Sequence, residues 1–254
     1  MKRVLTALVG IPLVLAATIY APDWLFALLV GLFAALCFEE LLTIGNARFG
    51  TRPGRWVVVL GAAVTASFLG GPGWVLTTLA LSLLISLAVI GLGSRLDACV
   101  ANFALTCLGL AYCCVLLGFL ALLSRDSVIV LFSIVWAGDS AAYYGGRALG
   151  RHKLAPRISP NKTVEGAIAG LIASVIAGIL MGRWLLEESI ATLAIAALLS
   201  AVAGQIGDLA ESALKRSAGV KDSSAILPGH GGILDRLDSL LFAAPVFFYL
   251  FSYL

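Results

Sequence analysis

Charged residues are scarce in this chain: Asp, Glu, Lys and Arg make up 12% of its 254 residues, whereas a soluble domain usually carries about 25%. Hydrophilic stretches long enough to build an extramembrane domain are absent as well. Hydrophobic residues, in contrast, make up 61% of the chain, and the mean hydropathy is +1.03. These values exclude an ordinary soluble globule, a disordered chain and a secreted disulfide scaffold.

The five cysteines show no ligand-like pattern, because all of them lie in or at the ends of apolar runs: Cys37, Cys99, Cys107, Cys113 and Cys114. Neither a disulfide framework nor a zinc site is supported by these positions. We expect them to act as small apolar packing residues.

Apolar runs between polar or Gly/Pro breaks predict nine helices. Their approximate ranges are 3–20, 24–45, 55–70, 73–92, 99–123, 127–146, 163–183, 188–217 and 234–253. The breaker Gly70-Gly71-Pro72-Gly73 divides 55–92 into two spans. A cleaved signal peptide is the alternative for the first run, but no clean small-x-small site precedes Asp23. The sequence thus predicts an all-α polytopic integral membrane protein with about nine transmembrane helices, about five of them in residues 1–130 and the rest in 131–254.

The basic residues are unevenly divided between the two sides that nine alternating spans define. Thirteen of the 17 Lys and Arg residues fall in the loops near 46–55, 93–98, 146–162 and 207–236, and four fall on the other side. The positive-inside rule places the first set in the cytoplasm. Lys2 and Arg3 oppose this trend, but they are outnumbered.

Two segments on the predicted cytoplasmic side, 138–165 and 204–239, concentrate the charge. They hold seven of the 14 acidic residues and nine of the 17 basic ones. A charged side chain at a membrane boundary is unfavourable unless it is paired with an opposite charge or has a function. We therefore expect the functional site in these two segments.

In the second segment, two helix ends present carboxylates. Asp208, Glu211 and Lys215 stand at i, i+3 and i+7, on one helix face. Asp235 and Asp238, at i and i+3, share a face of the last helix. A glycine-rich loop joins the two ends, and glycines let backbone N–H groups approach a phosphate.

This combination favours phosphoryl or nucleotidyl transfer. Mg²⁺ is commonly held by one or two carboxylates together with substrate phosphates, and Lys and Arg neutralise phosphate oxygens. The chain offers no nucleophilic Cys and no plausible Ser-His-Asp arrangement. We therefore expect catalysis by a bound metal ion and by positioning of the substrates. The alternative is a set of charge-paired helix ends without a substrate.

The run from Ser212 to Asp238 closely resembles the phosphatidate cytidylyltransferase (CDP-diacylglycerol synthase) motif. The family pattern is S-x-x-K-R-x4-K-D, a small residue two positions further on, and then P-x-H-G-G-x-x-D-R-x-D. Its twelve fixed positions are all matched, by Ser212, Lys215, Arg216, Lys221, Asp222, Pro228, His230, Gly231, Gly232, Asp235, Arg236 and Asp238. Ser224 departs from the pattern, since many relatives have Gly there, which leaves the loop backbone at that point open.

The first segment is similar to the same family in two stretches. One is Asp139-Ser-Ala-Ala-Tyr-Tyr-Gly-Gly, and the other runs from Gly150 through Ser159-Pro-Asn-Lys-Thr-Val-Glu-Gly166. Thr163 and Glu165 also suit a helix start, as a cap and a first-turn acid, so a structural role is an open alternative for them. The resemblance covers about 135–250, whereas residues 1–130 match only as hydrophobic spans.

The resemblance implies CTP and phosphatidate as substrates, CDP-diacylglycerol and pyrophosphate as products, and Mg²⁺ as cofactor, with room for a second cation. It makes 131–254 the catalytic transmembrane region, with cytoplasmic loops 146–162 and 207–236. The residues implied to act in catalysis are Asp208, Lys215, Arg216, Lys221, Asp222, His230, Asp235, Arg236 and Asp238. Those implied to bind substrate are Asp139, Lys153, Ser159, Lys162, Gly231 and Gly232.

Individual roles follow from the same resemblance. Asp208 and Asp235 are expected as the principal metal ligands, with Asp238 and Asp222 as further candidates. The loop cations would hold the triphosphate or the lipid head group, and His230 would orient a phosphate or relay a proton. For Asp139, a nucleotide or head-group contact and a structural pair with a base are both open.

The expected setting is the bacterial inner membrane, with the active site facing the cytoplasm and the bilayer as a partner. No nucleic acid partner is expected, and a homodimer is implied by family resemblance alone. Gly166 and Gly170, spaced i and i+4, suit a helix–helix contact within one chain or between two.

Three other functions remain as alternatives. A CTP-dependent lipid kinase would release CDP instead of pyrophosphate. An ion-coupled transporter would use Asp139 and Asp208 as cation sites, but it predicts paired broken helices that the sequence does not show. A membrane scaffold would tolerate replacement of the loop acids.

Overall fold

The computed structural model describes residues 2–93, 95–226 and 231–253, with side chains from 10 to 252 within these ranges. All nine predicted apolar segments are helical in this part of the chain. They are α1 (Lys2–Tyr20), α2 (Asp23–Phe49), α3 (Trp56–Ala66), α4 (Pro72–Gly93), α5 (Leu96–Leu122), α6 (Arg125–Leu149), α7 (Val164–Leu185), α8 (Ile190–Ser217) and α9 (Leu234–Tyr253). A 3₁₀ turn, Ser67–Gly70, extends α3.

Six of these helices are long and apolar enough to cross a membrane, namely α2 and α4 to α8. The apolar stretch Trp56–Gly70 has 10–17 residues, below the roughly 20 that a span needs. Helix α1 has 19 residues, and its described side chains cover only Gly10–Tyr20. Three charged residues, Asp235, Arg236 and Asp238, stand at the start of α9. The chain is an α-helical integral membrane protein, as predicted, whereas the count of about nine spans is not confirmed.

The breaker between α3 and α4 acts as the sequence indicates. Gly71 has φ 89°, a conformation that a residue with a side chain rarely adopts. Pro72 then opens α4, where its missing N–H is harmless. Residues 55–92 therefore form two helices.

The predicted loop 146–162 is not irregular throughout. Helix α6 continues to Leu149, and strands β1 (Lys153–Ala155) and β2 (Ser159–Thr163) pair antiparallel. Lys153 lies opposite Thr163, and Ala155 opposite Ser159. These strands are three and five residues long, too short to show a periodic pattern, which is why the sequence did not reveal this departure from an all-α fold.

The chain divides into two compact units. The first comprises the chain up to Leu122 together with Leu214–Leu237, and the second comprises Leu123–Ala213 together with the chain from Asp238 onward. Helix α2 supplies much of the core of the first unit, burying Cys37, Phe38 and Leu41. In α5 a π-helical turn, Leu110–Val115, adds Cys113 and Cys114 to this buried set. The burial of Cys37, Cys113 and Cys114 agrees with the packing role expected for them, whereas Cys99 and Cys107 are half-buried.

In the second unit, α6 and α7 pack closely along a face of small residues. Gly166, Gly170 and Ser174 of α7 are buried, and the Ser174 hydroxyl donates to the Ile134 carbonyl of α6 at 2.8 Å. A Cβ atom at Gly170 would lie 2.9 Å from the Gly138 carbonyl oxygen. The contact predicted at Gly166 and Gly170 is therefore made within one chain, and it gives no support to a homodimer.

Candidate active site

In the first unit, Asp235 accepts hydrogen bonds from three residues of the stretch 212–238. The Lys215 ammonium donates to Oδ1 at 2.5 Å. The Ser223 N–H and hydroxyl donate to Oδ2 at 3.0 and 2.9 Å, and the Gly232 N–H donates to Oδ2 at 2.7 Å. The side chains of Lys215 and Asp235 are only 10% and 6% exposed. This buried ion pair brings the two ends of the predicted loop together.

A second carboxylate, Glu40 of α2, contacts the same loop. Its Oε1 accepts from the Ser224 hydroxyl at 2.6 Å and the Ile233 N–H at 2.9 Å. Its Oε2 accepts from the Ser223 hydroxyl and the Leu234 N–H, both at 2.8 Å. Glu40 is 2% exposed. Together, Glu40, Lys215, Ser223, Gly232 and Asp235 are called the loop network below.

Glu40 is not among the residues predicted from the sequence, because the charge concentration and the motifs that indicate the site lie in 138–165 and 204–239. One signal was available: Glu39 and Glu40 are adjacent acids inside the apolar run 24–45, and an ionisable residue within a span is a functional candidate by default. The ion pairs of Glu39 with Arg52 and Arg55, at 2.9 and 3.2 Å, explain the first of these acids. They do not explain Glu40.

The two glycines predicted to cradle phosphate are constrained by the loop network. Gly231 has φ 77°. A Cβ atom at Gly232 would overlap the Ser223 hydroxyl and the Glu40 carboxylate. The Gly232 N–H is used by Asp235, so at Gly232 the structure explains the glycine by close packing.

The remaining charges of the second motif are accessible to a ligand. Arg216, Lys221, Asp222 and Arg236 are exposed. The Arg216 guanidinium also donates to the Val220 carbonyl at 3.1 Å. The predicted role of His230 falls outside the described residues, and so does Pro228 of the motif.

In the second unit, four carboxylates form an acidic cluster: Asp139, Asp208, Glu211 and Asp238. Asp238 is 9% exposed, and the negative charges of the other three act on it. Asp208 forms an ion pair with Lys162. Like charges around a buried carboxylate are unfavourable unless a cation offsets them.

Helices α8 and α9 approach closely beside this cluster because of two glycines. A Cβ atom at Gly207 would lie 2.6 Å from the Asp238 carbonyl oxygen. The corresponding distance from Gly204 to the Ser239 carbonyl oxygen is 3.4 Å. Gly207 is thus required for the approach of Asp238 to the polar end of α8.

The donor set of the acidic cluster suits Mg²⁺, which prefers carboxylate oxygens. Within the described residues, no three His, Cys, Asp or Glu side chains are arranged to hold a metal ion. Of the predicted ligands, Asp208 and Asp238 both belong to the acidic cluster. Both oxygens of Asp235 accept hydrogen bonds within the loop network. Asp208 is paired with Lys162, and Asp238 Oδ1 accepts the Ser239 N–H at 2.7 Å, so a metal ion would replace an existing contact at each of these predicted ligands.

The hairpin and the start of α7 show which first-segment residues are structural. The Thr163 hydroxyl accepts the Gly166 N–H at 3.1 Å and caps α7. The Glu165 carboxylate accepts the N–H groups of Arg151 and His152 at 3.0 and 3.2 Å and contacts His152 Nδ1 at 2.6 Å. The structural alternative thus accounts for the contacts of Thr163 and Glu165.

The other first-segment residues are differently placed. Lys153 is exposed and Ser159 is half-buried. Lys162, at the end of the hairpin, reaches Asp208. Asp139 is exposed on α6, and Tyr143 and Tyr144 after it are 62% and 69% exposed. The hairpin therefore brings Lys162 to the acidic cluster and leaves Lys153 accessible.

Comparison with known proteins places these residues in a family context. The profile of the cytidylyltransferase family matches residues 1–254, well beyond the stretch 135–250 that the motifs cover. A phosphatidate cytidylyltransferase of Staphylococcus saprophyticus is 37% identical over 256 residues, covering 96% of both chains.

Two further relatives match over a shorter stretch. A phosphatidate cytidylyltransferase of Brucella suis is 47% identical over 126 residues, which is 50% of this chain and 46% of the relative. An uncharacterized Escherichia coli protein, YnbB, is 42% identical over 126 residues, or 50% of this chain and 42% of that protein. The matched region thus spans about half the length of these two relatives.

Proposed function

This chain belongs to the cytidylyltransferase family, and we propose that it transfers CMP from CTP to phosphatidate, giving CDP-diacylglycerol and pyrophosphate. The observation that carries the proposal is the buried Lys215–Asp235 pair, which joins the two ends of the twelve-position motif. The name of the Staphylococcus saprophyticus relative, which aligns over 96% of both chains, supports the same substrate.

The chemistry requires one bond to form and one to break. A phosphatidate phosphate oxygen attacks the α-phosphorus of CTP, the bond between that phosphorus and the α–β bridging oxygen breaks, and pyrophosphate leaves. A covalent enzyme intermediate is not needed, so positioning and charge neutralisation carry the catalysis.

The exposed cations next to the loop network suit the phosphates of this reaction. Arg216, Lys221 and Arg236 would hold the triphosphate or the phosphatidate head group, because guanidinium and ammonium groups bind phosphate oxygens strongly. Lys153 and Ser159, on the hairpin of the second unit, are also proposed to bind substrate. Lys215 acts differently: its bond to Asp235 links the end of α8, which carries Arg216, to the start of α9, which carries Arg236.

Mg²⁺ is proposed as the cofactor, held by Asp208 and Asp238. When bound, it would neutralise charge that develops on the phosphate oxygens. The role of Asp235 as a principal ligand, that of Asp222 as a further one, and the presence of a second cation stay predictions. Lys162 would then exchange its ion pair with Asp208 for a substrate phosphate.

A lipid substrate also accounts for polar residues at the ends of apolar helices. The acyl chains would stay in the bilayer while the head group meets the polar loop. We propose the bacterial inner membrane as the location, with the site on the cytoplasmic face, from the bias of Lys and Arg. The homodimer stays a prediction from resemblance.

The test is pyrophosphate release from CTP by the purified, detergent-solubilised protein. Four reactions are compared: complete, without phosphatidate, without Mg²⁺, and without enzyme. We expect pyrophosphate only in the complete reaction, with CDP-diacylglycerol appearing in equal amount by lipid chromatography.

Other outcomes would overturn the proposal in recognisable ways. Release of CDP together with a phosphorylated lipid would identify a CTP-dependent lipid kinase. Folded protein without any turnover of CTP would favour the transporter or the scaffold.

A further inference from the structure

We propose that Glu40 is a positioning residue, which holds Ser223, Ser224 and the start of α9 so that the neighbouring Lys221 and Arg236 can bind the CTP phosphates. This inference rests on the proposed function for its substrate, but the loop geometry that carries it is independent of the reaction. Glu40 lies outside the motif and contacts it across 183 to 194 positions of sequence.

The first argument is the number and type of its donors. Two of them, the N–H groups of Ile233 and Leu234, stand at the start of α9. The first N–H groups of a helix have no acceptor within the helix, and a negative charge at this end is favourable. Glu40 therefore caps a 20-residue helix from another helix.

The second argument is the connection from Glu40 to Asp235. The Ser223 hydroxyl lies 2.8 Å from Glu40 Oε2 and 2.9 Å from Asp235 Oδ2. A hydroxyl has one proton to donate, so the two carboxylates share this donor. A displacement of Glu40 would move Ser223, and through Ser223 it would disturb the Lys215–Asp235 pair.

The third argument is the chemical requirement at this position. Glu40 lies inside α2, one of the helices long and apolar enough to span a membrane. A carboxylate there is unfavourable unless it is paired or has a function. All four of its contacts are N–H or O–H donors. An ionised carboxylate accepts from all four, whereas a Gln amide would turn its NH₂ group towards two of them. The site is therefore specific for a carboxylate.

Glu39 provides a matched control. It is adjacent on the same helix, and its side chain is 28% exposed and paired with Arg52 and Arg55. Glu39→Gln removes the same charge from the same helix without touching the loop. Any effect shared by the two variants would reflect the charge of α2 and not the loop.

The experiment compares the full-length wild type, Glu40→Gln and Glu39→Gln, each purified in the same detergent. Hydrogen–deuterium exchange is followed in the peptides that cover 220–236 and, for reference, in those of α6. Steady-state pyrophosphate release is measured against CTP concentration. Size-exclusion chromatography checks that the variants remain folded.

For Glu40→Gln we expect about tenfold faster exchange confined to 220–236 and about a tenfold lower kcat/KM for CTP, mainly through KM. Glu39→Gln should stay within about twofold of wild type in both measurements. Unchanged exchange and unchanged KM in folded Glu40→Gln would overturn the proposal. So would faster exchange that leaves KM for CTP unchanged, since the role would then be structural only.

Two further variants decide the question if Glu40→Gln does not fold. Ser224→Ala removes one donor to Oε1, and Glu40→Asp keeps the charge on a shorter side chain. The proposal expects both to raise KM for CTP about two- to fivefold in folded protein, and an unchanged KM would overturn it. If the wild type turns over no CTP, the proposed function fails, while the exchange measurement still shows whether Glu40 orders the loop.

Discussion

At the scale of single residues, the buried pair of Lys215 and Asp235 carries the sharpest prediction. Asp235→Asn keeps the shape of the side chain but leaves the Lys215 ammonium buried without its carboxylate. We expect at least a hundredfold loss of pyrophosphate release in a protein that still elutes as folded. Loss of one partner of a buried pair also lowers the free energy of unfolding by about 3–5 kcal/mol, which thermal melting would report.

The controls separate charge pairing from catalysis. Asp97→Asn removes an acid whose side chain is 66% exposed and paired with Arg95, and it should change neither activity nor stability. The double variant Lys215→Met, Asp235→Asn removes both charges and should recover part of the lost stability without recovering turnover. Activity near wild type in Asp235→Asn would contradict its place in the site.

Gly232 supports a second prediction at this scale. In Gly232→Ala the new methyl group would overlap the Ser223 hydroxyl and the Glu40 carboxylate. Such overpacking typically costs about 1–3 kcal/mol, and we expect a lower melting temperature together with at least a tenfold loss of turnover. Gly91→Ala, in a helix with open space around it, should leave both quantities close to wild type.

The residues of the loop network differ in how far the sequence could reveal them. Lys215, Gly232 and Asp235 stand in one short motif, so their pattern is local and identifiable. Glu40 meets its partners only in the folded chain, at separations of 183 to 194 positions, and no local pattern records such a contact. Its position inside an apolar run was the one physical indication.

At the scale of helices, the contact between α8 and α9 depends on two glycines that differ in their clearance. Gly207→Ala would place a methyl group against the Asp238 carbonyl oxygen, a backbone atom that can move only with its helix. Gly204→Ala meets the Ser239 carbonyl oxygen at 3.4 Å, which is ordinary contact. We therefore expect about a tenfold fall in kcat/KM for Gly207→Ala and less than a threefold change for Gly204→Ala.

The comparison of these two variants is decisive because they share a helix, a residue type and a change in volume. Equal effects would show that the close approach of α9 at Gly207 does not matter for the acidic cluster. Melting temperatures measured in the same detergent would show whether a loss of activity reflects unfolding.

Secondary structure was predictable where its signal extends over many residues. Apolar runs of twenty or so residues located the helices, because burial in lipid requires such length. The cap at Thr163 followed from a short polar sequence. The hairpin 153–163 did not, since its strands are too short for alternation and its ends are fixed by contacts such as Glu165 with the Arg151 and His152 N–H groups.

At the scale of the whole molecule, the prediction to be tested is the orientation of the chain in the membrane. Helix α7 has 22 residues, about 33 Å at 1.5 Å per residue, which matches the roughly 30 Å hydrocarbon core. Arg157 precedes it in the hairpin and Glu188 follows it, and both side chains are exposed. The two positions should therefore lie on opposite sides of the membrane.

The bias of Lys and Arg predicts that Arg157 lies on the cytoplasmic side and Glu188 on the opposite side. Single cysteines at these positions, in a background that lacks Cys99 and Cys107 but keeps the buried Cys37, Cys113 and Cys114, would be treated with a membrane-impermeant maleimide in spheroplasts. We expect Glu188→Cys to react at once and Arg157→Cys to react only after lysis. The reverse pattern would put the hairpin, and with it Lys153 and Lys162, on the side without cytoplasmic CTP, and the proposed reaction could not occur there.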